Sequence, residues 1–405
     1  MNAAEVVRGA LEARPRVLVI SACLPPMSSG SAKMMRNLLG PIPRESLVLL
    51  CGNNAMYPLG QENALGPVEI VDMPNLLRKR QFWIGLPRYL EYLWVPLIAF
   101  RAVRVARREK VRAIFANYPF GYFLVAGWLA SRVARLPLFV YMHSLWEETV
   151  DTAADRTMAR LLEGRIFRDA VKVYVPTEEA ARHYRAKHGF TPGLLPHAVN
   201  LEDGAPAAGA PGDRCDPSVR TIVFTGGVYN MNRDALEAMV RAVEGMPIGP
   251  GEPEIRFLVC APNDPATLAR LGIAGTRTQV RCVNTATAMR LQREADVLYV
   301  PLAFNTPWQD EIRTVFPTKV VEYVMSGTPI LLHAPGDCYT VEDARRFGWA
   351  HVVATLEPAP LQEAIRRLLA DRPLRERLVA GARAAAETRD ARKIASELER
   401  DLGIT

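Results

Sequence analysis

Long apolar runs are missing from this chain. No stretch of 18 residues is apolar and free of charge, so hydropathy gives no membrane-spanning helix. The opening MNAAEVVRGALEARPR lacks an apolar core and does not read as a secretory leader. Cysteine is sparse. Cys23, Cys51, Cys215, Cys260, Cys282 and Cys338 are scattered and never form a CxxC pair. That pattern argues against a zinc ribbon or a disulfide framework. It leaves small buried thiols in a reducing, cytoplasmic compartment as the expectation.

What is present is an ordinary globular composition, 49% apolar and 23% charged, over 405 residues. That length suits two domains of roughly 200 residues each. The net charge of +7 fits nucleic acid, anionic lipid or acidic small molecules, and alone it selects none of them. Strand-length apolar runs alternate with helix-length amphipathic runs. The strands read as 16–22, 47–51, 68–72, 113–117, 138–143, 171–175 and 194–196 in the first half. In the second half they read as 221–225, 255–260, 279–282, 297–300 and 330–333. A long basic helix is expected near 89–109 and two or three helices beyond 358. Near-continuous apolar runs suit strands buried on both faces of a parallel sheet. Between the halves, residues 203–218 are dominated by Gly, Ala and Pro and read as a linker. The division is therefore 1–202, a linker 203–218, 219–380, and helices over 381–405. The fold class is α/β with two parallel-sheet halves.

Four segments invite a functional reading. FTGGVYN places Gly226 and Gly227 after a strand, with Tyr229, Asn232 and Arg233 leading into a helix. Such a turn lets a backbone approach a ligand, or is simply a tight turn. FPTKVVEYVMSGTPIL reads as a helix opening near Pro317 and Thr318, stopped at Gly327 and feeding a strand. Lys319 could meet a phosphate and Glu322 a ribose diol. The bland reading, favoured by spacing alone, is a surface ion pair between the two. Ser28, Ser29 and Gly30 form a small-residue loop after the first strand. His143 ends a strand and is followed by Glu147 and Glu148, two carboxylates that could tune it or act as acid and base.

Taken together, these motifs resemble the retaining glycosyltransferases of family 4, over nearly the whole chain. The resemblance implies a GT-B fold, two Rossmann-like domains facing across a cleft with C-terminal helices crossing back. It implies sugar transfer from a nucleotide-diphosphate sugar to a glycan or lipid-linked acceptor, with retention, no bound metal and no cofactor. In those terms Glu322 holds the ribose. The backbone at Thr318 and Lys319 binds the diphosphate over Gly226 and Gly227. His143 stabilises charge beside the donor sugar, and Gly30 approaches from the acceptor domain. Two departures stand out. Thr314 occupies the place where the family often has a first glutamate, with Asp310 and Glu311 nearby. Tyr229 and Asn232 stand where an Arg and a Lys often bind phosphate, leaving Arg233 and Arg313 as substitutes. The alternative is a weak or inactive GT-B protein that binds nucleotide-sugar or glycan and acts through a partner.

Residues 78–108 interleave eight Lys or Arg with aromatic side chains. Such a segment either lies in an anionic membrane interface on the inner face or is an amphipathic helix with its aromatics in the core. Nucleic acid is not expected as a partner.

Overall fold

The computed structural model of the protein describes residues 15–25, 29–52, 65–71, 88–150, 152–204 and 218–404. Two compact units emerge. The first comprises the chain up to Val175, Tyr184–Leu195 and the stretch from Arg392 onward. The second comprises Pro176–His183 and Pro196–Ala391.

The first unit holds seven strands: β1 (Val17–Ile20), β2 (Leu47–Gly52), β3 (Val68–Val71), β4 (Ala113–Tyr118), β5 (Leu138–Met142), β6 (Lys172–Val175) and β7 (Gly193–Leu194). Their order is β3-β2-β1-β4-β5-β6-β7, all parallel. β1, β2, β4 and β5 are buried at every residue, which is why they read as unbroken apolar runs. From the far end of the chain, Asp401 accepts from Lys172 Nζ and from Tyr174 OH, both at 2.7 Å.

The second unit holds six parallel strands: β8 (Val219–Thr225), β9 (Glu254–Cys260), β10 (Thr278–Arg281), β11 (Val297–Pro301), β12 (Ile330–His333) and β13 (Ala350–Val353). The order is β10-β9-β8-β11-β12-β13. Its core on one side gathers Leu298, Val300, Val320, Tyr323, Leu332 and Trp349. On that side a buried guanidinium, Arg389, pairs with Asp343 and lies 4.4 Å above the Phe316 ring.

Three sequence expectations need correction. β13 was not foreseen, because Ala350-His351-Val352-Val353 is short and half-exposed at the sheet edge. The basic helix near 89–109 is a 3-10 turn over Arg88–Trp94 followed by an α-helix over Val95–Arg108, with Pro96 in the opening turn. Proline lacks an N–H and is tolerated only there. Cys282 is exposed just past the edge strand β10, whereas Cys23, Cys51, Cys260 and Cys338 are buried. Cys215, nearly all of the linker and the basic residues 78–87 lie outside the described residues. No described helix is long and apolar enough to cross a membrane.

Candidate functional site

The second sheet changes direction at one place, between β8 and β11. Connections diverge there, and ligands of open parallel sheets bind in the crevice outside the carboxyl ends of such strands. Two loops bound it, 226–232 after β8 and 302–308 after β11.

Gly226 has φ +143°, a conformation L side chains rarely adopt. Its N–H donates to Cys260 O at 2.9 Å. A Cβ there would stand 3.0 Å from Lys319 Nζ, so the glycine backbone and the ammonium adjoin. Asn232 and Asn263 hold the turn from two sides. Asn232 Nδ2 donates to Gly227 O (3.0 Å) and its Oδ1 accepts from Tyr229 N–H (3.1 Å). Asn263 Oδ1 accepts from Val228 N–H (2.9 Å) and its Nδ2 donates to Val228 O (3.0 Å). Asn232 is buried and its amide is engaged by the loop itself.

Lys319 is half-buried, with Nζ 3.9 Å from the centroid of the Phe224 ring. Burial pushes its ammonium down to about 7, and Glu322 pulls it only part of the way back. The surface ion pair allowed by the sequence does not form; Glu322 instead accepts from Gln292 Nε2 at 3.2 Å. Gln292 also donates to Thr225 Oγ1 (2.9 Å), and Tyr323 OH accepts from Thr225 N–H (2.8 Å). The end of β8, the helix Thr285–Glu294 and the helix Thr318–Tyr323 are thereby one hydrogen-bonded set. Thr318 opens its helix after Pro317, and Gly327, at φ +75°, stands beyond its end.

The other predicted cations have carboxylates within reach. Arg233 is exposed and pairs with Glu237 at 2.8 Å. Arg313 is exposed and lies 3.6 Å from both Asp310 and Asp337. Thr314 is buried; its Oγ1 donates back to Asp310 O at 2.9 Å, and its carbonyl accepts from Thr177 Oγ1 at 2.6 Å. Glu311 is also buried.

In the first unit, His143 follows β5 and is buried, its ring 5.9 Å from that of Tyr141. Lys187 reaches Glu147 (2.9 Å), Glu148 (2.8 Å) and Glu163 (2.7 Å), and Arg160 reaches Glu147 (2.5 Å). Burial opposes ionisation of Glu147, but Arg160 and Lys187 hold its carboxyl below the usual range. Both carboxylates are taken up in this cluster, which fastens the turn after His143. Gly30 opens the helix Gly30–Leu39, capped by Ser29 Oγ accepting from Ala32 N–H at 3.1 Å. Ser28 lies outside the described residues.

Sequence reasoning overlooked Gln292, Asn263 and Trp308. Asn263 carried a signal in the Asn-Asp-Pro helix start. Gln292 sits in the last turn of its helix among polar residues and carried none.

Two Rossmann-like units of seven and six parallel strands, the second with a glycine turn at its switch point, make a GT-B architecture. The family model described as "Glycosyl transferase 4-like domain" matches residues 47–195, and "Glycosyl transferases group 1" matches 219–371. The chain belongs to these family 4-like glycosyltransferases. A search of the curated proteins finds no significant match. Among solved structures, it resembles sucrose-phosphate synthase from Thermosynechococcus elongatus, with TM-score 0.71 and 17% identity, over 96% of this chain and 98% of that one. Anabaena HepE, solved in complex with UDP and glucose, gives 0.69 and 14%, over 96% and 99%. A UDP-forming α,α-trehalose-phosphate synthase from Burkholderia vietnamiensis gives 0.65 and 15%, over 96% and 100%.

Proposed function

We propose that this glycosyltransferase takes its sugar from a nucleoside-diphosphate sugar and passes it, with retention and without metal, to a glycan or lipid-linked acceptor. The observation that carries the donor reading is the Lys319 ammonium beside the Gly226 backbone at the sheet's switch point. A leaving diphosphate needs positive charge, and a desolvated cation beside an open backbone supplies it. Glu322, one turn further along the helix, presents a carboxylate to the ribose diol. Thr318 contributes backbone at the same helix start. His143 would act on charge developing at the donor sugar, with Gly30 serving the acceptor-side loop. The UDP held by Anabaena HepE supports a nucleotide ligand. Retention rests on the family resemblance.

The acceptor reading rests on the helix Val95–Arg108 and the turn before it. Leu93 and Phe100 are exposed at 69% and 57% and share a stripe with Arg104 and Arg107, which have no ion pair among the described residues. An apolar stripe with free cations suits the inner face of an anionic membrane, which fits a lipid-linked acceptor and a cytoplasmic protein in peripheral contact.

The test of the donor site is thermal unfolding with UDP, GDP, dTDP, CMP and ADP, without metal, on the wild type and Glu322→Ala. One nucleotide is expected to raise Tm in the wild type, and the variant to lose about 10- to 100-fold in affinity for it, the range for hydrogen bonds to a charged group. Equal shifts in both proteins would remove Glu322 from the site. Donor hydrolysis or transfer that co-purifies with the protein is expected as well; nucleotide binding without either would leave a binding protein.

A further inference from the structure

We propose that Tyr229 and Trp308 form an aromatic shelf that stacks on the ring of the transferred sugar. The proposal rests on the donor reading above and deepens it.

The two side chains come from the two loops that flank the switch point, one after β8 and one after β11. Their rings lie 6.2 Å apart, tilted by 58°. Tyr229 is 52% exposed, much for so large a ring. Its Cδ1 stands 3.8 Å from the place of a Cβ on Gly227, so the ring rises directly from the glycine turn. The shelf is firmly based. Asp234 accepts from the N–H groups of Phe304 (3.1 Å) and Asn305 (2.7 Å), tying the second loop to the helix that follows the first. Trp308 N–H donates to Thr306 Oγ1 at 3.3 Å, and Gln309 Nε2 to Phe304 O at 2.8 Å.

The order of the groups assigns the occupant. Glu322 and Lys319 share a helix face. Lys319 adjoins Gly226. Gly227 follows and carries the Tyr229 ring beside it, and Trp308 lies beyond. A nucleotide sugar has the same linear order: ribose, diphosphate, sugar. With the ribose on Glu322 and the diphosphate lying against both Lys319 and the Gly226 backbone, the sugar reaches the shelf. A pyranose offers an apolar C–H face, and rigid aromatic rings cover such a face while their edges stay wet. With Thr314 hydrogen-bonded into its own helix, sugar recognition shifts from a carboxylate to these rings.

The experiment is calorimetric titration of wild type, Tyr229→Ala, Trp308→Ala and Trp308→Phe with UDP and UDP-glucose, and with GDP and GDP-mannose. Circular dichroism and Tm check that each variant is folded. For the pair that binds, each alanine variant is expected to weaken the nucleotide sugar about fivefold to tenfold, on the scale of an aromatic contact. Affinity for the diphosphate should stay within about twofold, and Trp308→Phe should recover most of the loss. Equal weakening of diphosphate and nucleotide sugar would place the rings on the base or make them loop supports, and would overturn the shelf. No change in either ligand would overturn it too. Glu322→Ala, run alongside with UDP or GDP, separates the two readings. If it leaves the diphosphate affinity untouched, the donor reading itself falls. If it weakens the diphosphate while Trp308→Ala changes nothing, only the shelf falls. A wild type that binds neither these diphosphates nor any other nucleotide of the thermal screen overturns both.

Discussion

Donor affinity should fall steeply as pH rises above 7, because Lys319 must carry its proton to meet a diphosphate. Burial lowers this ammonium from 10.5 to about 7, with Glu322 opposing. The lysine is thus about half charged at pH 7 and about 1% charged at pH 9. A bound diphosphate returns a strong negative charge to its side and draws the proton back. The nucleotide-sugar diphosphate keeps a constant charge over this range, so the pH dependence belongs to the protein. If the complex keeps the proton throughout, affinity drops about 50-fold between pH 7 and 9. Uptake on binding is about half a proton at pH 7 and close to one at pH 8.5. For the empty protein the sign runs the other way. The unfolded lysine holds its proton to about 10.5 while the folded one releases it near 7, so this group's contribution to stability rises with pH across that window. Titration calorimetry in buffers of different ionisation enthalpy counts the protons directly. Lys319→Met should bind more weakly at pH 7 and show a flat profile. No proton uptake at pH 8.5, with affinity varying less than about threefold from pH 7 to 9, would refute the reasoning.

Other outcomes follow from the same contacts. His143→Ala should lower turnover by about 100-fold, in the range of groups acting on transition-state charge, and leave donor affinity nearly unchanged; steady-state kinetics beside direct binding separates the two. Arg389→Met leaves Asp343 buried with Trp349 Nε1 at 2.7 Å as its remaining hydrogen-bond donor among the described residues; a loss of about 3–5 kcal/mol is expected in denaturant unfolding. On sedimented vesicles containing anionic lipid, the double variant Arg104→Ala/Arg107→Ala should bind about 30-fold less, near 1 kcal/mol per cation. Binding equal to that of the wild type would leave the exposed stripe without a membrane role.

The strands were legible because burial on both faces leaves no polar residue to interrupt them; Leu47–Gly52 and Ile330–His333 are plain in the text of the chain. Ala350–Val353 was lost where an edge strand no longer needs that purity. In the site, Gly226, Gly227, Lys319 and Glu322 announced themselves by punctuation: a glycine pair after a strand, and a charged pair at a helix start closed by Gly327. The partners of the arginines were less accessible. Arg233 could be paired with Glu237 from helical spacing alone, but the choice between that surface pair and a phosphate needs to know which way the helix faces. Trp308 was out of reach for a different reason. It meets Tyr229 only because β11 lies beside β8, a neighbour relation that 78 intervening positions of sequence do not express.

The departures from the family pattern then acquire one physical sense. A donor site without metal needs a cation that is free when the ligand arrives. Arg233 and Arg313 are exposed and have carboxylates within reach, so a diphosphate would have to displace those pairs in competition with water. Among the described residues Lys319 has no such partner: an aromatic ring lies beneath it, and Glu322, the acidic group that acts on it, is itself held by Gln292. Near neutral pH about half of the empty sites need hold no buried charge there at all, which spares the protein much of the cost of desolvating an unpaired ammonium. On the proposed donor reading, the charge is restored when the diphosphate supplies its counter-ion. Buried Thr314, its hydroxyl turned into its own helix, brings no carboxylate to its position. A glutamate restored there by Thr314→Glu should raise the Lys319 pKa and flatten the pH profile of donor binding if the two side chains adjoin, and leave the profile unmoved if they do not.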